Sequence, residues 1–276
     1  MYIPVYVINL KDSDVRKNLI SGRLNDLNVP FEVVEAVDGS QISDNEIIKN
    51  VSLTWKQGSR TRNLLKGEIG CVLSHFMIYR KMIDGDIEAA CILEDDAEPE
   101  NNFGSFITYE NIKITGWDLL FIGHHSLCSK KEAAGVNRKD LKVDGYSLRE
   151  PIEIPVGSYG YIIKKNAAAK ILQHGYPVRK PLDYYIGNSS AIGIRVQLLS
   201  PPCVQHNYSL QSTIYKESEI IFADTHIESI RKKVREIYKW IPFLKTLRIW
   251  IYINLNRSVV ILRKAGLLRN QYAKYE

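Results

Sequence analysis

The 276-residue chain is 45% hydrophobic and 25% charged, a balance that closes one large core or two small ones and excludes disorder and collagen-like repeats. Its four cysteines (Cys71, Cys91, Cys128 and Cys203) lie far apart, with no C-x-x-C pair or His-flanked zinc spacing, so a reducing, cytosolic compartment is expected. The net charge of +6 is uneven: residues 226–276 carry 12 Lys/Arg against 3 Asp/Glu, and the other 225 residues carry 25 against 28. The basic balance therefore belongs to the C-terminal tail, which suits an anionic membrane, a nucleic acid or an acidic partner.

Met1 to Leu10 is apolar, but no basic stretch precedes it and no small-residue cleavage site follows. It reads as a first strand, Val5 to Asn9, and not as a signal peptide. Asp12-Ser13-Asp14 can cap a helix bearing Val15, Leu19, Ile20, Leu24 and Leu27, and Phe31 to Ala36 returns as a strand ending at Asp38-Gly39. The polar stretch from 51 to 66 has no clear period and reads as a long loop. Gly67 to Ile83 is the clearest helix, with Ile69, Val72, Leu73, Phe76, Tyr79 and Ile83 on one face and with Glu68 and His75 sharing a flank. Ala89 to Leu93 reads as a fully buried strand that stops at Glu94-Asp95-Asp96. Further strands are expected at Trp117 to Ile122, Tyr159 to Ile163 and Ile194 to Leu199, with a helix around Ala167-Ala168-Ala169. Strands alternating with helices predict an α/β layer fold with a largely parallel sheet.

In such sheets ligands bind beyond the carboxyl ends of the strands. This chain places Asn9 to Asp12, Asp38, Glu94 to Asp96 and Gln205-His206 at those ends. Two carboxylates one residue apart, Glu94 and Asp96, can hold a hard divalent cation through oxygen ligands while a phosphate-bearing substrate completes its coordination. The competing reading of the same acids is a helix cap or a solvated turn. Arg16 either grips a diphosphate bidentately or pairs with Asp12 or Glu35. Neighbouring His124 and His125 point to different sides, which argues against a shared metal.

Val7-Ile8-Asn9-Leu10 with Arg16, Ala36-Val37-Asp38-Gly39, Gly67-Glu68-Ile69-Gly70-Cys71 with Leu73-Ser74-His75, and Ile92-Leu93-Glu94-Asp95-Asp96 form a series in order and spacing. Gly157 to Ile162, Ala167-Ala168 and Pro181-Leu182-Asp183 continue it. The series resembles the bacterial glycosyltransferase family 25 of lipooligosaccharide biosynthesis, over about residues 3 to 206. The resemblance implies a GT-A-like, Rossmann-type nucleotide-sugar-binding domain at 1–225 with a basic, helical extension at 226–276. It implies an inverting, metal-dependent hexosyl transfer, with galactose from UDP-galactose as the default, to the lipid-linked oligosaccharide of a lipopolysaccharide acceptor. The expected cofactor is manganese or magnesium, held by Glu94, Asp96 and His206. Asn9, Leu10, Arg16, Val37, Asp38 and Asp95 are the expected donor-binding residues. Asp183, Glu68 and His75 are the expected catalytic ones, with Asp183 as acceptor base and Glu153 in reserve.

Each role has a structural rival. Glu68 and His75 could share a hydrogen bond, Asp183 could be an N-cap, and His206 could be solvated. Two other functions fit parts of the chain. A nucleotidyltransferase would also use acidic metal ligands, but the chain has no Gly-rich phosphate loop with a basic residue near its N-terminus. A nucleic-acid-binding module would use the basic tail, whose apolar content argues against it. In the tail, Ile227, Ile230, Val234, Ile237 and Ile241 recur at helical spacing among basic residues. Its longest charge-free stretch, Ile249 to Asn256, is eight residues, against about twenty needed to span a bilayer. The expectation is a peripheral enzyme on the cytoplasmic face of the inner membrane, attached through 226–276 to anionic lipid. A helical pair docked on the catalytic domain or on a second copy in a homodimer is the rival for that segment. Nucleic acid is not an expected partner.

Overall fold

The computed structural model describes residues 1–43, 51, 54–57, 60–113, 116–126, 131–140 and 145–210. The expected basic extension at 226–276 lies outside them. Strand β1 (Val5–Asn9), in which Val5, Val7 and Ile8 are β-branched, is buried at all five positions, as a strand covered on both faces is. Helix α1 (Asp14–Asp26) buries only Ile20 and Leu24. Val15 and Leu19, expected on its apolar face, are 71% and 52% exposed, so only the second half of the helix covers the sheet. Strand β2 (Glu32–Glu35) has exposed glutamates at both ends and forms a polar edge. The expected loop at 51 to 66 instead contains an antiparallel pair, β3 (Thr54–Gln57) and β4 (Arg60–Asn63). Helix α2 (Lys66–Asp84) matches the periodicity of its sequence.

Strand β5 (Ala89–Glu94) follows, with no exposure from Ala89 to Leu93. The remaining elements are β6 (Ala97–Pro99), α3 (Tyr109–Ile112), β7 (Leu119–Phe121), β8 (His125–Ser126), β9 (Gly135–Asp140), β10 (Ser147–Pro151), β11 (Pro155–Val156), β12 (Gly160–Lys164), α4 (Lys165–Gly175), α5 (Leu182–Ile186), β13 (Val196–Ser200) and β14 (Val204–His206).

Eight strands form one sheet in the order β2-β1-β5-β12-β7-β13-β10-β9. β12 and β10 run against the other six, so the α/β sheet is mostly parallel, with two reversed strands. From β1 the chain passes through α1 to β2 on one side, then through α2 to β5 on the other. That reversal opens a crevice beyond the carboxyl ends of β1 and β5, where α/β sheets bind ligands. Alternation along the strands separates two cores. Tyr6, Ile8, Ala90 and Ile92 pack with Val72, Phe76 and Tyr79 of α2, whereas Val5, Val7, Cys91 and Leu93 pack with Ile20 and Leu24 of α1.

The reversed β12 has a consequence for the crevice. Gly160 pairs with Leu93 and Lys164 with Ala89, so β12 begins where β5 ends. The backbone N–H of Glu94 donates to the Tyr159 carbonyl at 3.1 Å, tying that junction closed. The opposite wall is clasped to α2 through backbone contact. A Cβ on Gly70 would stand 2.6 Å from the Val37 carbonyl oxygen and 2.7 Å from the Gly39 nitrogen. The Ser74 hydroxyl accepts from the Val37 N–H at 2.8 Å and donates to the Gly70 carbonyl at 2.7 Å.

Because the atoms that a Gly70 side chain would strike are backbone, Gly70→Ala must displace the 37–39 loop. The expected cost is about 1–3 kcal/mol, read in thermal denaturation as a fall of at least about 2 °C in Tm. An unchanged Tm would show that the clasp yields freely.

Candidate active site

Burial leaves the three acids after β5 little water, and one guanidinium and one amide organise them. Arg16, on the first turn of α1, places its Nη2 2.6 Å from Asp95 Oδ1 and in contact with Asp96 Oδ2. These side chains are at most 13% exposed. Asn9, the last residue of β1, donates its amide to Asp95 Oδ2 at 2.7 Å and to the Ser13 carbonyl at 3.1 Å. Arg16 thus pairs with neither Asp12 nor Glu35, and Asn9 acts on the site through Asp95. His206, at the end of β14, faces Asp96 Oδ2 at 3.6 Å.

The acids experience different fields. Burial, then repulsion from Asp96, pushes Glu94 up to about 8. Burial also raises Asp95, to about 6, against the pull of Arg16 and Asn9. For Asp96 burial is outweighed by His206 and Arg16, which together hold it below the usual carboxylate range. His206 is raised in return, chiefly by Asp96. Glu94 Oε1 and Asp96 Oδ1 are buried without a hydrogen-bond partner. Both oxygens are desolvated and neither is taken by Arg16, so each is open to a hard cation; one that bound Glu94 would displace the proton that this residue keeps near neutral pH.

Glu68 and His75 do not meet, because seven residues of helix separate them by about 10 Å along the axis. Glu68 bends back to accept the Leu65 N–H at 2.9 Å, completing a cap at the start of α2. His75 is fully buried. Its Nδ1 lies 2.8 Å from the Tyr161 hydroxyl, which in turn lies 2.5 Å from that of Tyr79. Its Nε2 faces Glu94 Oε1 at 3.5 Å. Burial depresses His75 to about 3, so the ring is neutral.

The acids open onto a cleft of about 200 Å³, lined by Leu10, Arg16, Val37, Asp38, Ser40 and Lys66 among others. Asp38 accepts the Ser40 hydroxyl and N–H at 2.7 and 2.9 Å, bonds that lower its pKa. Lys66 and Arg16 give the cleft two cations suited to phosphate oxygens. Lys66, Ser40 and Cys71 were not anticipated as cleft residues, although Lys66 directly precedes the Gly67-Glu68 motif.

Asp183 lies in the first turn of α5, where Pro181 is the N-cap. Its Oδ1 accepts the N–H groups of Gly157 and Ser158, both at 3.0 Å. Gly157 has φ +142°, and a Cβ there would stand 2.6 Å from the Gly123 carbonyl oxygen, so this turn requires glycine. Asp183 therefore braces the turn leading into β12, within electrostatic reach of Glu94, His75 and Cys71. Glu153 accepts from the Ser126 hydroxyl at 2.9 Å and the Ala134 N–H at 2.8 Å. The adjacent histidines do diverge: His124 is buried with Nε2 2.9 Å from the Leu199 carbonyl oxygen, and His125 stacks on Tyr159.

The profile of glycosyltransferase family 25 (LPS biosynthesis protein) matches residues 2–186. A glycosyltransferase 25 family member of Aedes aegypti is 32% identical over 191 residues, covering 66% of this chain and 30% of that protein. Procollagen galactosyltransferase 2 of Homo sapiens is 29% identical over 177 residues, covering 61% of this chain and 27% of that protein. Inactive glycosyltransferase 25 family member 3 of Homo sapiens is 28% identical over 192 residues, covering 66% and 31%. The chain thus spans about a third of the length of these relatives. The matched region contains the Arg16 and Asp95-Asp96 cluster, the cleft and Asp183, and the chain belongs to glycosyltransferase family 25.

Proposed function

We propose that this chain is an inverting glycosyltransferase that moves a sugar, galactose from UDP-galactose as the default, onto a lipooligosaccharide or lipopolysaccharide acceptor. The observation that carries the reading is the pair of buried, unpartnered carboxylate oxygens, Glu94 Oε1 and Asp96 Oδ1, at the edge of a cleft that also presents Arg16 and Lys66. A divalent cation on Glu94 and Asp96, manganese or magnesium, would supply countercharge to the departing nucleoside diphosphate. His206 sits on the oxygen of Asp96 that Arg16 also contacts, which suits a residue that orients Asp96 as well as one that completes the metal sphere.

The protein's own groups account for the rest. Asn9 and Arg16 fix Asp95 and Asp96, so the site needs little rearrangement when the donor arrives. Arg16 and Lys66 receive phosphate oxygens, while Leu10, Val37 and Asp38 line the wall available to the nucleoside. Inversion requires a base to take the acceptor hydroxyl's proton on the face opposite the leaving group. Asp183 is proposed for that task through Oδ2, since Oδ1 is engaged by two backbone N–H groups. The proposal extends to peripheral attachment at the cytoplasmic face of an anionic inner membrane through residues 226–276, supported by the charge and apolar content of that sequence.

Asp96→Asn preserves side-chain shape, and its expected effect is a fall in transfer rate of roughly 10²–10³-fold in a chain that still folds, with a lowered Tm because Arg16 and His206 lose a buried charged partner. Strong chelation should silence the wild type equally; full activity under chelation would remove the metal from the reading. Asp183→Asn separates brace from base, because asparagine retains an oxygen for the Gly157 and Ser158 N–H groups. A base role predicts a loss of roughly 10²-fold or more in kcat at unchanged donor KM, whereas a purely bracing role predicts wild-type kcat. In vesicle sedimentation the intact chain should bind anionic lipid at low salt and be partly released at high salt. Indifference to anionic vesicles would discard the membrane role.

A further inference from the structure

Cys71 and His75 stand one turn apart on the face of α2 that looks toward the end of β5. Cys71 Sγ, a ring nitrogen of His75 and a carboxylate oxygen of Glu94 all lie within 4.8 Å of one another. His75 Nε2 and Glu94 Oε1 are each buried, and neither has a hydrogen-bond partner. Their separation of 3.5 Å is close to the ligand-to-ligand edge of about 3.3 Å that tetrahedral bonds of roughly 2.05 Å impose. Two unpartnered polar atoms 3.5 Å apart, with a thiol within 4.8 Å of both, supply the nitrogen, oxygen and sulfur donors of a metal site.

The surroundings support such a site. With Nε2 turned to a metal, His75 must carry its proton on Nδ1, and the Tyr161 oxygen lies 2.8 Å away to accept it. Tyr161 then donates onward to Tyr79 at 2.5 Å, so the chain of donors closes without a conflict. Cys71, His75 and Glu94 all line the cleft, which gives an ion a way in to them. Cys71 forms no disulfide.

We propose that Cys71, His75 and Glu94 form a second cation site, selective for zinc over manganese and magnesium, which shares Glu94 with the hard-cation site and shuts off transfer when filled. A thiolate and an imidazole favour zinc, whereas magnesium prefers oxygen donors and manganese stands at the weak end of the divalent series. Binding breaks the Cys71 S–H bond, forms a sulfur–zinc bond and releases the proton to water. The inhibitory consequence rests on the function proposed above; the site itself does not.

Cobalt, a spectroscopic substitute for zinc, tests the site on the intact, chelator-treated chain. The expected result is one equivalent bound with a sulfur-to-cobalt charge-transfer band that zinc abolishes and that Cys71→Ser removes. Tyr161→Phe, which loses only the outer hydroxyl, should weaken zinc binding about tenfold, and His75→Gln should weaken it further. Asp96→Asn should retain the band and the zinc affinity while losing manganese-supported UDP binding, which separates the two sites. In the wild type, zinc should inhibit manganese-supported transfer, and added manganese should relieve it. A folded wild type without the thiolate band overturns the site even if Cys71→Ser or His75→Gln fails to fold. A band present while zinc leaves manganese-supported transfer untouched overturns the sharing of Glu94. A band present in a chain that shows no metal-supported transfer leaves the zinc site standing and removes the transferase reading.

Discussion

One guanidinium holds the active corner together. Asp95 and Asp96 leave a strand with no solvent exposure over its first five residues, and Glu94 is the last residue of that strand. Three carboxyl groups so close would repel one another and resist ionisation if left unpaired. Arg16 contacts one oxygen of Asp95 and one of Asp96, reaching both from a helix that begins just beyond β1. The placement follows from topology: β1 lies beside β5 in parallel, so the helix leaving β1 starts next to the acids that end β5. Removing the guanidinium would leave Asp95 desolvated with only the Asn9 amide and Asp96 with only His206, a costlier state than the loss of a surface ion pair.

That arrangement divides the carboxyl oxygens by task. Asp95 is consumed by Arg16 and Asn9 and serves as a strut. Asp96 gives one oxygen to Arg16 and His206 and keeps the other clear, while Glu94 keeps Oε1 clear toward His75. The unpaired oxygens therefore belong to the two acids that alternate around Asp95, as expected when successive residues at a strand end point to opposite sides. The reversed strand β12 completes the corner from the far side. Its leading turn is held by Asp183 and requires glycine at 157, so the same residue that is proposed as base also fixes the ground on which Glu94 sits.

Local periodicity carried much of this. β1, α2 and β5 were legible because each buries a continuous or helically spaced apolar set, and the acids were conspicuous because they break such a run abruptly. The pair β3 and β4 was hidden because every residue in it except Trp55 is polar, with the Gly-Ser at 58–59 as the turn cue. The direction of β12 was illegible for a different reason, since alternation looks the same whichever way a strand runs. Long-range pairings were also out of reach. Nothing near Arg16 in the chain announces Asp95 and Asp96, so the nearer Asp12 and Glu35 were the natural partners to expect. Glu68 illustrates the converse case: its spacing from His75 put both on one flank of the helix, and its position three residues after Leu65 also makes it a helix cap.

The central claim is that Glu94 and Asp96 hold a divalent cation together with the diphosphate of the donor. Electron paramagnetic resonance of manganese reads this directly, because the sharp signal of the aqueous ion broadens on binding. Titrating manganese into the protein with UDP present should remove one equivalent of the free signal per chain, and Asp96→Asn should abolish that loss. A free-manganese signal that falls equally in wild type and Asp96→Asn, or does not fall at all, would contradict the assignment of these carboxylates.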